Sequence, residues 1–505
     1  MDLNDPSGFS EAAKLASLAQ INEIRAGVND RFAKGNTTTT GITTATGLVS
    51  IPLEAPAKSL YNVFLKIRQR IARESEGRGG LSITWRALTS IYAGGVDAGI
   101  AEGAVGSTVQ FTEADVSATY RTLGRLSSAS YEAISAAQTF DDAVAKATLG
   151  GLQNLQVSEE NSLIGGCTTG IAKPGTVTGA NSTIAGSLGA ATQYDYAVSA
   201  VTLMGTTGAN RVSANGNDST RGPAWAAAYP WLTTAKDSPN ETDDTTATHL
   251  QSGGATACDL SWASVKGAFA YNVYAGSHSG PLYFVAQTTQ PKYTVLAIPA
   301  PATVPNTSNE TANPYQFDGI GIQAALASGA NWTDLAGASL TAGVGSVQQI
   351  DAALETMATG PIVAPSLMLV SPHEAVTIRN LVLAAGTAVS TQRFNVEVGD
   401  GGEIRGGSIF MEYRNPYFPG MPMEVLAHPF LPQGTTMLIT EKLPPWYPNA
   451  NISTTWAVDT RREFYSIEYA IATASGRVKP VGVYVEEVLK GYFPTGTAIL
   501  TGIGA

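Results

Sequence analysis

The chain has 505 residues, which is more than one hydrophobic core supports, so the sequence predicts about two to four folding units. Hydrophobic residues make up 44% of it, and its 53 glycines and 26 prolines favour strands and turns over a helical bundle. The 41 acidic and 30 basic residues give a net charge of -11, which repels nucleic acid and anionic lipid. The charge therefore argues against a general nucleic-acid-binding protein.

The cysteines and the N-terminal residues indicate a cellular compartment. Cys167 and Cys258 show neither metal-ligand spacing nor a disulfide framework, so we interpret them as reduced structural thiols. The first residues, MDLNDPSGFSEAAKL, lack the basic and apolar segments of a secretory signal, and no stretch of the chain is long and apolar enough to span a membrane. We expect a soluble protein of the cytoplasm.

Residues 10–34 are predicted to form an amphipathic helix on an N-terminal arm. Ser10 is a suitable N-cap, and one helical face carries Leu15, Leu18, Ile21, Ile24, Val28 and Phe32. The Thr- and Gly-rich segment that follows has no side chain able to fill a core. The apolar face of the helix is therefore expected to need a partner surface.

Residues 51–92 contain the main cluster of basic residues in the chain and are predicted to form a long projecting hairpin. The sequence EGRGG at 76–80 is typical of a hairpin tip, and Leu81, Ile83 and Trp85 alternate as in a strand. Leu60, Val63, Phe64, Ile67 and Ile71 instead follow helical spacing. The conformation of residues 60–73, the first limb, is left open between helix and strand.

A second, longer helix is predicted over residues 139–164. Thr139 is placed as its N-cap, and Asp141 and Asp142 complement the helix dipole in the first turn. Gly165 and Gly166 are expected to end it.

Residues 172–310 differ in character from their flanks and are predicted to be an inserted β-sandwich. Tyr194, Tyr196 and Val198 alternate with polar or small residues, and short apolar runs follow at regular spacing. The core candidates are Trp262, Tyr271 and Val273. This pattern resembles fibronectin type III and immunoglobulin-like domains, while the polar segment 206–250 is expected to be an exposed excursion.

The flanks of the insertion predict an α+β protein. Residues 365–386 are interpreted as a buried strand, a turn at Ser371 and Pro372, and a helix that ends at Gly386. Residues 404–490 alternate strands with Gly and Pro turns, and 481–489 is expected to be the strand that closes the chain. The two ends of the sandwich must lie close together, as insertions require.

Motifs for catalysis or cofactor binding are weak. The four histidines, His249, His278, His373 and His428, lack zinc-ligand spacing, and the P-loop Gly-Lys pair is missing from the sequence. GIGIQA at 319–324 imitates part of a dinucleotide fingerprint without its βαβ context. Glu241, Asp243 and Asp244 are better explained as a solvated loop than as a calcium site. We therefore expect no enzyme activity, no metal and no cofactor.

The basic cluster has two interpretations that the sequence leaves balanced. It is either a solvated face or a surface that meets carboxylates of a neighbouring subunit, since an acidic protein with a basic projection is complementary to its own copies. The candidate inter-subunit contacts are Lys66, Arg68, Arg70, Arg73, Arg78, Trp85 and Arg86.

The order of these parts, together with several motifs, resembles the major capsid proteins of tailed bacteriophages, with a lambdoid-type fold. The motifs are IPLEAPAKSLYNVF, TWRALTSI at 84–91, TFDDAVAKATLGGLQNL and SPHEAVTIRNLV. The resemblance implies an N-terminal arm (1–50), an extended-loop region (51–92), a peripheral domain with a spine helix (93–171), the immunoglobulin-like insertion (172–310), an axial domain (311–400) and a return through both domains to a C-terminal strand (401–505).

The resemblance also implies a function. Such a protein forms hexamers and pentamers of an icosahedral head that encloses double-stranded DNA without binding it specifically, and an inserted sandwich decorates the outer surface. Expected partners are further copies of the chain and possible scaffold, portal and decoration proteins, with no membrane. The expected location is the virion, assembled in the host cytoplasm.

Three alternatives remain at this point. The first is a phage or bacterial surface-binding protein whose fibronectin-like module carries the activity, and the second is an encapsulin-type shell. The third is an enzyme, which the lack of a convergent polar constellation disfavours.

Overall fold

A computed structural model describes most of the chain after the N-terminal arm. The described residues are 65–75, 80–93, 99–103, 105, 110–137, 142–206, 217–218, 241–299, 311–343, 346–384, 397–398, 404–405, 412–418, 420–443, 453–469 and 478–504. The helix predicted over 10–34 and the motif IPLEAPAKSLYNVF lie outside the described residues.

The described helices and strands follow one another in a mixed order, which confirms the α+β class. The α-helices are α1 (Lys66–Arg70), α2 (Tyr131–Ala137), α3 (Ala143–Gly165), α4 (Ile320–Leu326), α5 (Gln348–Thr359) and α6 (Pro372–Ala384). Short 3-10 helices lie at Leu203–Thr206 and Pro494–Gly496.

The strands outnumber the helices. They are β1 (Ala72–Glu74), β2 (Ser82–Ala93), β3 (Gln110–Thr119), β4 (Arg121–Ser130), β5 (Thr178–Asn181), β6 (Gln193–Val201), β7 (Asn217–Asp218), β8 (Thr245–Leu250), β9 (Cys258–Ser261), β10 (Ala270–Ser277), β11 (Tyr283–Thr288), β12 (Lys292–Val295), β13 (Asn331–Asp334), β14 (Leu367–Val370), β15 (Glu397–Val398), β16 (Ile404–Arg405), β17 (Glu412–Arg414), β18 (Pro422–Ala427), β19 (Thr436–Ile439), β20 (Trp456–Glu468), β21 (Val478–Gly491) and β22 (Thr497–Thr501).

The chain divides into two compact units. The smaller includes Leu123–Ser158 and Arg462–Val485, and the larger includes Lys66–Thr122, Glu159–Arg461 and Glu486–Ala505. Within the described parts, no helix has the length and apolar character needed to cross a bilayer.

In the smaller unit, β4 and portions of β20 and β21 form a sheet beneath the first two thirds of α3. Asp142 caps that helix, because its carboxylate accepts hydrogen bonds from the backbone N–H of Val144 at 2.9 Å and of Ala145 at 3.0 Å. The N-cap is therefore Asp142 and not the predicted Thr139, which lies outside the described residues. A carboxylate serves well here, since it also complements the positive end of the helix dipole.

A six-stranded sheet in the larger unit has the order β13-β22-β19-β14-β18-β17. Its strand β14 has the sequence LMLV and is buried along its whole length, as expected of a continuous apolar run between other strands. One core unites residues from β14, β22, α5 and α6. Of the segment predicted over 365–386, the buried strand and the helix are present as β14 and α6, and the predicted helix end at Gly386 lies outside the described residues.

Helix α6 begins with a capping box, SPHE. The backbone N–H of Glu374 donates to the Ser371 hydroxyl, which in turn donates to the Glu374 carboxylate, and Pro372 occupies the first helical position. The Glu374 carboxylate also accepts a hydrogen bond of 2.9 Å from the backbone N–H of Gly434. This glycine has a φ of +84°, which an L side chain adopts only with strain.

The inserted region is a two-sheet sandwich, with the sheet orders β7-β11-β10-β6-β8 and β12-β9-β5. Both sheets contribute to one core. The immunoglobulin-like topology is not confirmed: β5 and β12, the first and last strands of the sandwich, share a sheet here, whereas in an immunoglobulin domain the first and last strands lie in different sheets.

The two ends of the sandwich are adjacent, as its insertion requires. The backbone N–H of Asn313 donates to the carbonyl of Cys167 at 2.9 Å. The backbone N–H of Ile171 donates to the Thr311 hydroxyl at 3.1 Å. The sandwich, which belongs to the larger unit, therefore begins and ends at one place in that unit.

The predicted hairpin over 51–92 is wrong in its pairing. Strand β2 pairs antiparallel with β3, which follows it, while β1 pairs in parallel with β20 and residues 66–70 form α1. The alternation of apolar and polar residues along β2 identifies a strand but not the strand it pairs with. The pattern is equally compatible with pairing to the segment before β2 and to the segment after it. The segment 76–79 lies outside the described residues.

The strand predicted over 481–489 is present within β21, but it does not close the chain. Strand β22 follows it and pairs antiparallel with β19 and in parallel with β13. Its sequence, TAILT, is too short for its pattern alone to distinguish a strand from the turn residues beside it.

Candidate functional site

Two adjacent carboxylates, Glu159 and Glu160, are fully buried near the C-terminal end of α3. They lie in the sequence SEENSLIG, where Leu163 and Ile164 are also buried. A charge taken out of water requires partners, and both carboxylates find theirs around α1.

Glu160 fixes the position of α1. Its carboxylate accepts hydrogen bonds from the backbone N–H of Ile67 at 2.9 Å and of Arg68 at 2.7 Å. The Nε2 atom of the buried His428 lies 3.1 Å from the same carboxylate. Glu160 thereby satisfies amide groups in the first turn of α1, which have no partner within the helix.

Glu159 pairs with two arginines. Arg68 donates from Nε at 2.8 Å, and Arg73 forms a second ion pair with the same carboxylate. Arg73 also reaches Glu487 at 3.4 Å. Burial lowers the pKa of Arg68 and raises the pKa of Glu487, and the opposite charges of this cluster counteract both shifts.

Arg70 forms a more exposed fork. Its guanidinium lies 3.1 Å from Glu441 and is paired with Glu424 as well. Burial lowers the pKa of Arg70, but hydrogen bonds and attraction from the two carboxylates outweigh that effect, so the net shift is upward.

A second buried ion cluster surrounds Lys490. Its ammonium group contacts Asp459 at 3.1 Å and is paired with Glu74, while Tyr120 donates a hydrogen bond of 3.1 Å to Asp459. Burial lowers the pKa of Lys490. Hydrogen bonds with the carboxylates and with the Tyr492 hydroxyl raise the pKa by more than burial lowers it, so the net shift is upward. Strand β1 is thus held by side chains as well as by its pairing with β20.

The other contact candidates differ in exposure. Arg86 is 73% exposed and lies 3.4 Å from Asp115 and 3.6 Å from Glu113 of the same ribbon. The Trp85 side chain is buried, and its Nε1 donates to the Gly491 carbonyl at 3.0 Å. Lys66 is half-buried, and Arg78 lies outside the described residues. That these residues contact a neighbouring subunit stays a prediction.

The sandwich candidates meet in one core. The rings of Trp262 and Tyr271 pack edge to face with centroids 5.4 Å apart, and Val273 is fully buried in the same cluster. The Tyr271 hydroxyl accepts a hydrogen bond of 2.9 Å from the backbone N–H of Val265, and burial raises the pKa of this phenol.

The histidines and cysteines have local partners. His249, His278 and His373 lie at hydrogen-bond distance from Asn181, Asp195 and Glu374. The two cysteines are free and buried, and burial raises the pKa of each thiol. No group of three or more metal-ligand side chains occurs among the residues that the structure describes.

The sequence did not identify most of the carboxylates that pair with the arginines and with Lys490. Glu159 and Glu160 lie in the polar run SEENS, which resembles an exposed helix face, so the sequence gives no signal of their burial. Glu424, Glu441 and Glu487 carry no such signal either, since their sequence neighbours are ordinary strand residues. The charged side chains of these clusters contact one another, so their evident role is to hold α1 and β1.

No family model matches the chain, and no curated protein matches it significantly. Several solved structures are similar to it. The capsid of cyanophage A-1(L) is 10% identical with a TM-score of 0.40, over 92% of this chain and 99% of that chain. The capsid of a native GTA particle is 8% identical with a TM-score of 0.36, over 93% and 95%. The capsid of Myoviridae phage XM1 is 9% identical with a TM-score of 0.35, over 92% and 100%.

An encapsulin complex from Synechococcus elongatus is 11% identical with a TM-score of 0.19, over 34% of this chain and 53% of that chain. The likeness to the capsids is distant, and function has to be inferred from the residues of the chain itself.

Proposed function

We propose that this chain is the major capsid protein of a tailed phage, which self-assembles as hexamers and pentamers into an icosahedral head around double-stranded DNA. The observation that carries this proposal is where the resemblance motifs lie. TWRALTSI lies in β2, and AVAKATLGGLQNL lies in α3, the 23-residue helix. SPHEAVTIRNLV supplies the cap and body of α6. The long helix α3 is the type of element that the resemblance assigns to the motif of the spine helix.

The composition supports a container for DNA. A net charge of -11 disfavours adhesion to the phosphate backbone, so packaged DNA is able to move during filling and release. The DNA is enclosed and not specifically bound.

The ribbon of β2 and β3 supports assembly from one kind of chain. Trp85 and Leu88 of β2 are buried against the body of their own chain, whereas the Arg86 side chain between them is 73% exposed. A shell of identical chains brings such exposed side chains against neighbouring copies through heterologous contacts that close on themselves. We place the candidate contact Arg86 in such an interface.

The sandwich supports a role on the outer surface. It is inserted between α3 and α4, with both ends at one place, so it extends the chain without interrupting the sheet order of the six-stranded sheet. In the virion it decorates the head, where decoration proteins are possible partners. Scaffold and portal proteins are further possible partners during assembly in the host cytoplasm.

A structural role, without catalysis, fits the polar clusters. The arginines, Lys490 and the carboxylates of these clusters are paired with one another, and each pair holds α1 or β1 in position. The function proposed for them is to hold the chain that precedes the ribbon.

The test is size-exclusion chromatography and negative-stain electron microscopy of the full-length protein, alone and with host lysate. Closed shells or capsomer rings are expected. A chain that stays monomeric at all concentrations would contradict the proposal and favour the surface-binding protein instead.

A further inference from the structure

The sandwich has one end that contacts the rest of the larger unit and one end that lies away from it. Strands β6 and β10 pair antiparallel, and their Val201–Ala270 end lies beside the turn at Gly267. This glycine packs against Ile171 and against Ile322 of α4. The other end of the two strands is therefore the end of the sandwich opposite α4.

Four connecting segments form this opposite end, and we call them together the distal end: 181–193, 250–257, 277–283 and 296–299. Backbone hydrogen bonds join the segments: Gln251 donates to Thr192 at 3.1 Å, Ser187 to Leu296 at 2.7 Å and His278 to Gln193 at 3.3 Å. The distal end is thus one connected surface and not four independent loops.

The distal end lacks charged residues of four kinds. Its sequences are NSTIAGSLGAATQ, LQSGGATA, SHSGPLY and LAIP, and none of them contains Asp, Glu, Lys or Arg. Charged residues make up 14% of the whole chain, and exposed connections between strands are where they are ordinarily found. A surface of this composition is neutral inside an acidic protein.

Two carboxylates in the adjoining strands have partners within the sandwich. Asp195 accepts a hydrogen bond of 2.8 Å from the backbone N–H of Ser279 and lies 3.0 Å from Nδ1 of His278. Asp259 accepts a hydrogen bond of 2.6 Å from the Thr294 hydroxyl. Local donors therefore already engage the negative charges that border the distal end.

Large aliphatic side chains are exposed on the distal end. Leu250 is 55% exposed, Ile184 is 54% exposed and Leu296 is 45% exposed. Exposed apolar residues that lie together are typical of interaction sites, and depletion of charged residues is typical of the core of an interface. Both features occur here on the same surface.

A second copy of the chain is the partner that this neutrality favours. With a net charge of -11, two copies repel each other, and like charges brought together oppose contact. A surface without charge avoids that cost. Its aliphatic side chains are also complementary to the same side chains of another copy, as an isologous contact requires.

We propose that the distal ends of two sandwiches from neighbouring copies pack against each other in the assembled head. The inference rests on the proposed function, because the head brings the copies together. The contact is isologous, so it joins sandwiches in pairs and does not propagate. A small patch is sufficient, since sandwiches held on one wall meet at a high effective concentration.

Crosslinking of single-cysteine variants tests this contact in the full-length chain. Leu250→Cys, Ile184→Cys and Leu296→Cys are each assembled and treated with a short bismaleimide. The two native cysteines are buried, so the reagent is expected to report on the new thiol. We expect covalent dimers on a denaturing gel, about tenfold more abundant after assembly than in the same variant before assembly.

The matched control is Lys266→Cys, which places an exposed thiol beside Gly267 at the end of the sandwich next to α4. It is expected to give no more dimers after assembly than before. Shells in which none of the three distal variants forms dimers above this control would overturn the proposed contact and leave the capsid function standing. A wild-type chain that stays monomeric would instead refute the proposed function, and the contact with it.

A charged variant supplies a second measurement. Leu250→Asp places two like charges in the contact, so its shells are expected to dissociate in urea about tenfold faster than wild-type shells. Lys266→Asp is the control and should dissociate at the wild-type rate. Equal rates for Leu250→Asp and the wild type would contradict the contact.

The stability of the unassembled chain separates this effect from misfolding. Since Leu250 is more than half exposed, Leu250→Asp should leave the urea midpoint of the unassembled chain unchanged. Faster dissociation together with a lowered midpoint would assign the effect to the fold of the sandwich and overturn the contact as its cause.

Discussion

Glu159 illustrates how a buried carboxylate decides the position of a chain segment. Its side chain has no exposed area, and it pairs with Arg68 and Arg73, whose side chains are 17% and 30% exposed. Removal of one partner from a buried ion pair leaves an uncompensated charge, which costs more than the pair itself contributes. Arg68 in α1 and Arg73 in β1 therefore both depend on this one residue.

We expect Glu159→Ala to lower the free energy of unfolding by about 3 kcal/mol, because two arginines lose a buried partner. The matched control is Glu424→Ala, which removes the exposed half of the Arg70 fork and should cost about 0 to 1 kcal/mol. Urea unfolding followed by circular dichroism measures both. Equal losses in the two variants would contradict the assignment of Glu159 as the anchor.

At this scale the sequence located the cations but not their partners. The cluster of arginines between 66 and 86 is evident from composition, and its alternatives were a solvated face or an interface. Arg68, Arg70 and Arg73 turn to carboxylates of their own chain, some of which lie more than 350 residues away in sequence. A local sequence pattern does not identify a partner so far away in the chain, so these ion pairs could not be predicted from the sequence.

Helix α6 shows how one element is tied to a distant turn. The sequence SPHE predicts the cap of this helix. Glu374 also accepts a hydrogen bond from the backbone N–H of Gly434, which ties the start of the helix to a distant turn. Burial raises the pKa of Glu374 above its ordinary 4.5, and the hydrogen bond from Gly434 counteracts that shift. The contribution of Glu374 to the stability of the protein is therefore expected to depend on pH.

We expect Glu374→Gln to remove that dependence. A raised pKa means that the folded state binds the proton more tightly, so the stability contributed by this proton is full below pH 4.5 and is lost as the pH rises through the raised pKa. The glutamine does not titrate, so the variant should gain stability relative to the wild type between pH 4.5 and neutrality. Urea midpoints at several pH values test this, and parallel profiles for the two proteins would refute it.

Element types were predicted better than element partners. The strand and helix at 365–384 and the long helix were identified from periodicity, because burial of one face imposes a regular spacing. The ribbon was paired wrongly, since β2 satisfies the same alternation with either flanking segment. Tyr465 and Tyr469 in REFYSIEY stand at an even spacing typical of a strand, but that spacing does not identify the strands on either side of β20.

In the larger unit, the sandwich and the body share a core. Ile322 of α4 and Ile171 pack in the same cluster as Tyr271 and Val273 of the sandwich. The ring of Phe269 also packs edge to face on Trp332, with centroids 5.8 Å apart. Sequence composition marked the insertion but gave no sign of this shared core, because the body residues involved are ordinary helix and strand residues.

We expect Ile322→Ala to loosen the sandwich and the body together. The change removes buried methyl groups and should cost about 2 to 5 kcal/mol. Hydrogen exchange should then quicken both in α4 and in strands β6 and β10 of the sandwich. Val285→Ala, a half-buried position of β11 packed against the same cluster, is the comparison within the sandwich. Faster exchange confined to α4 in Ile322→Ala would contradict the shared core.

The adjacency of Ile171 and Thr311, together with the shared core, has a mechanical consequence. A domain tethered only by two neighbouring strands would swivel, and a force on its outer end would be absorbed at the tether. Here Ile171 and Ile322 are packed into the core of the sandwich. A force on the sandwich is therefore transmitted directly to α4 and to the sheet on which α4 packs. The sandwich behaves as a rigid strut, and in the proposed head a load at its outer end is transmitted to the wall.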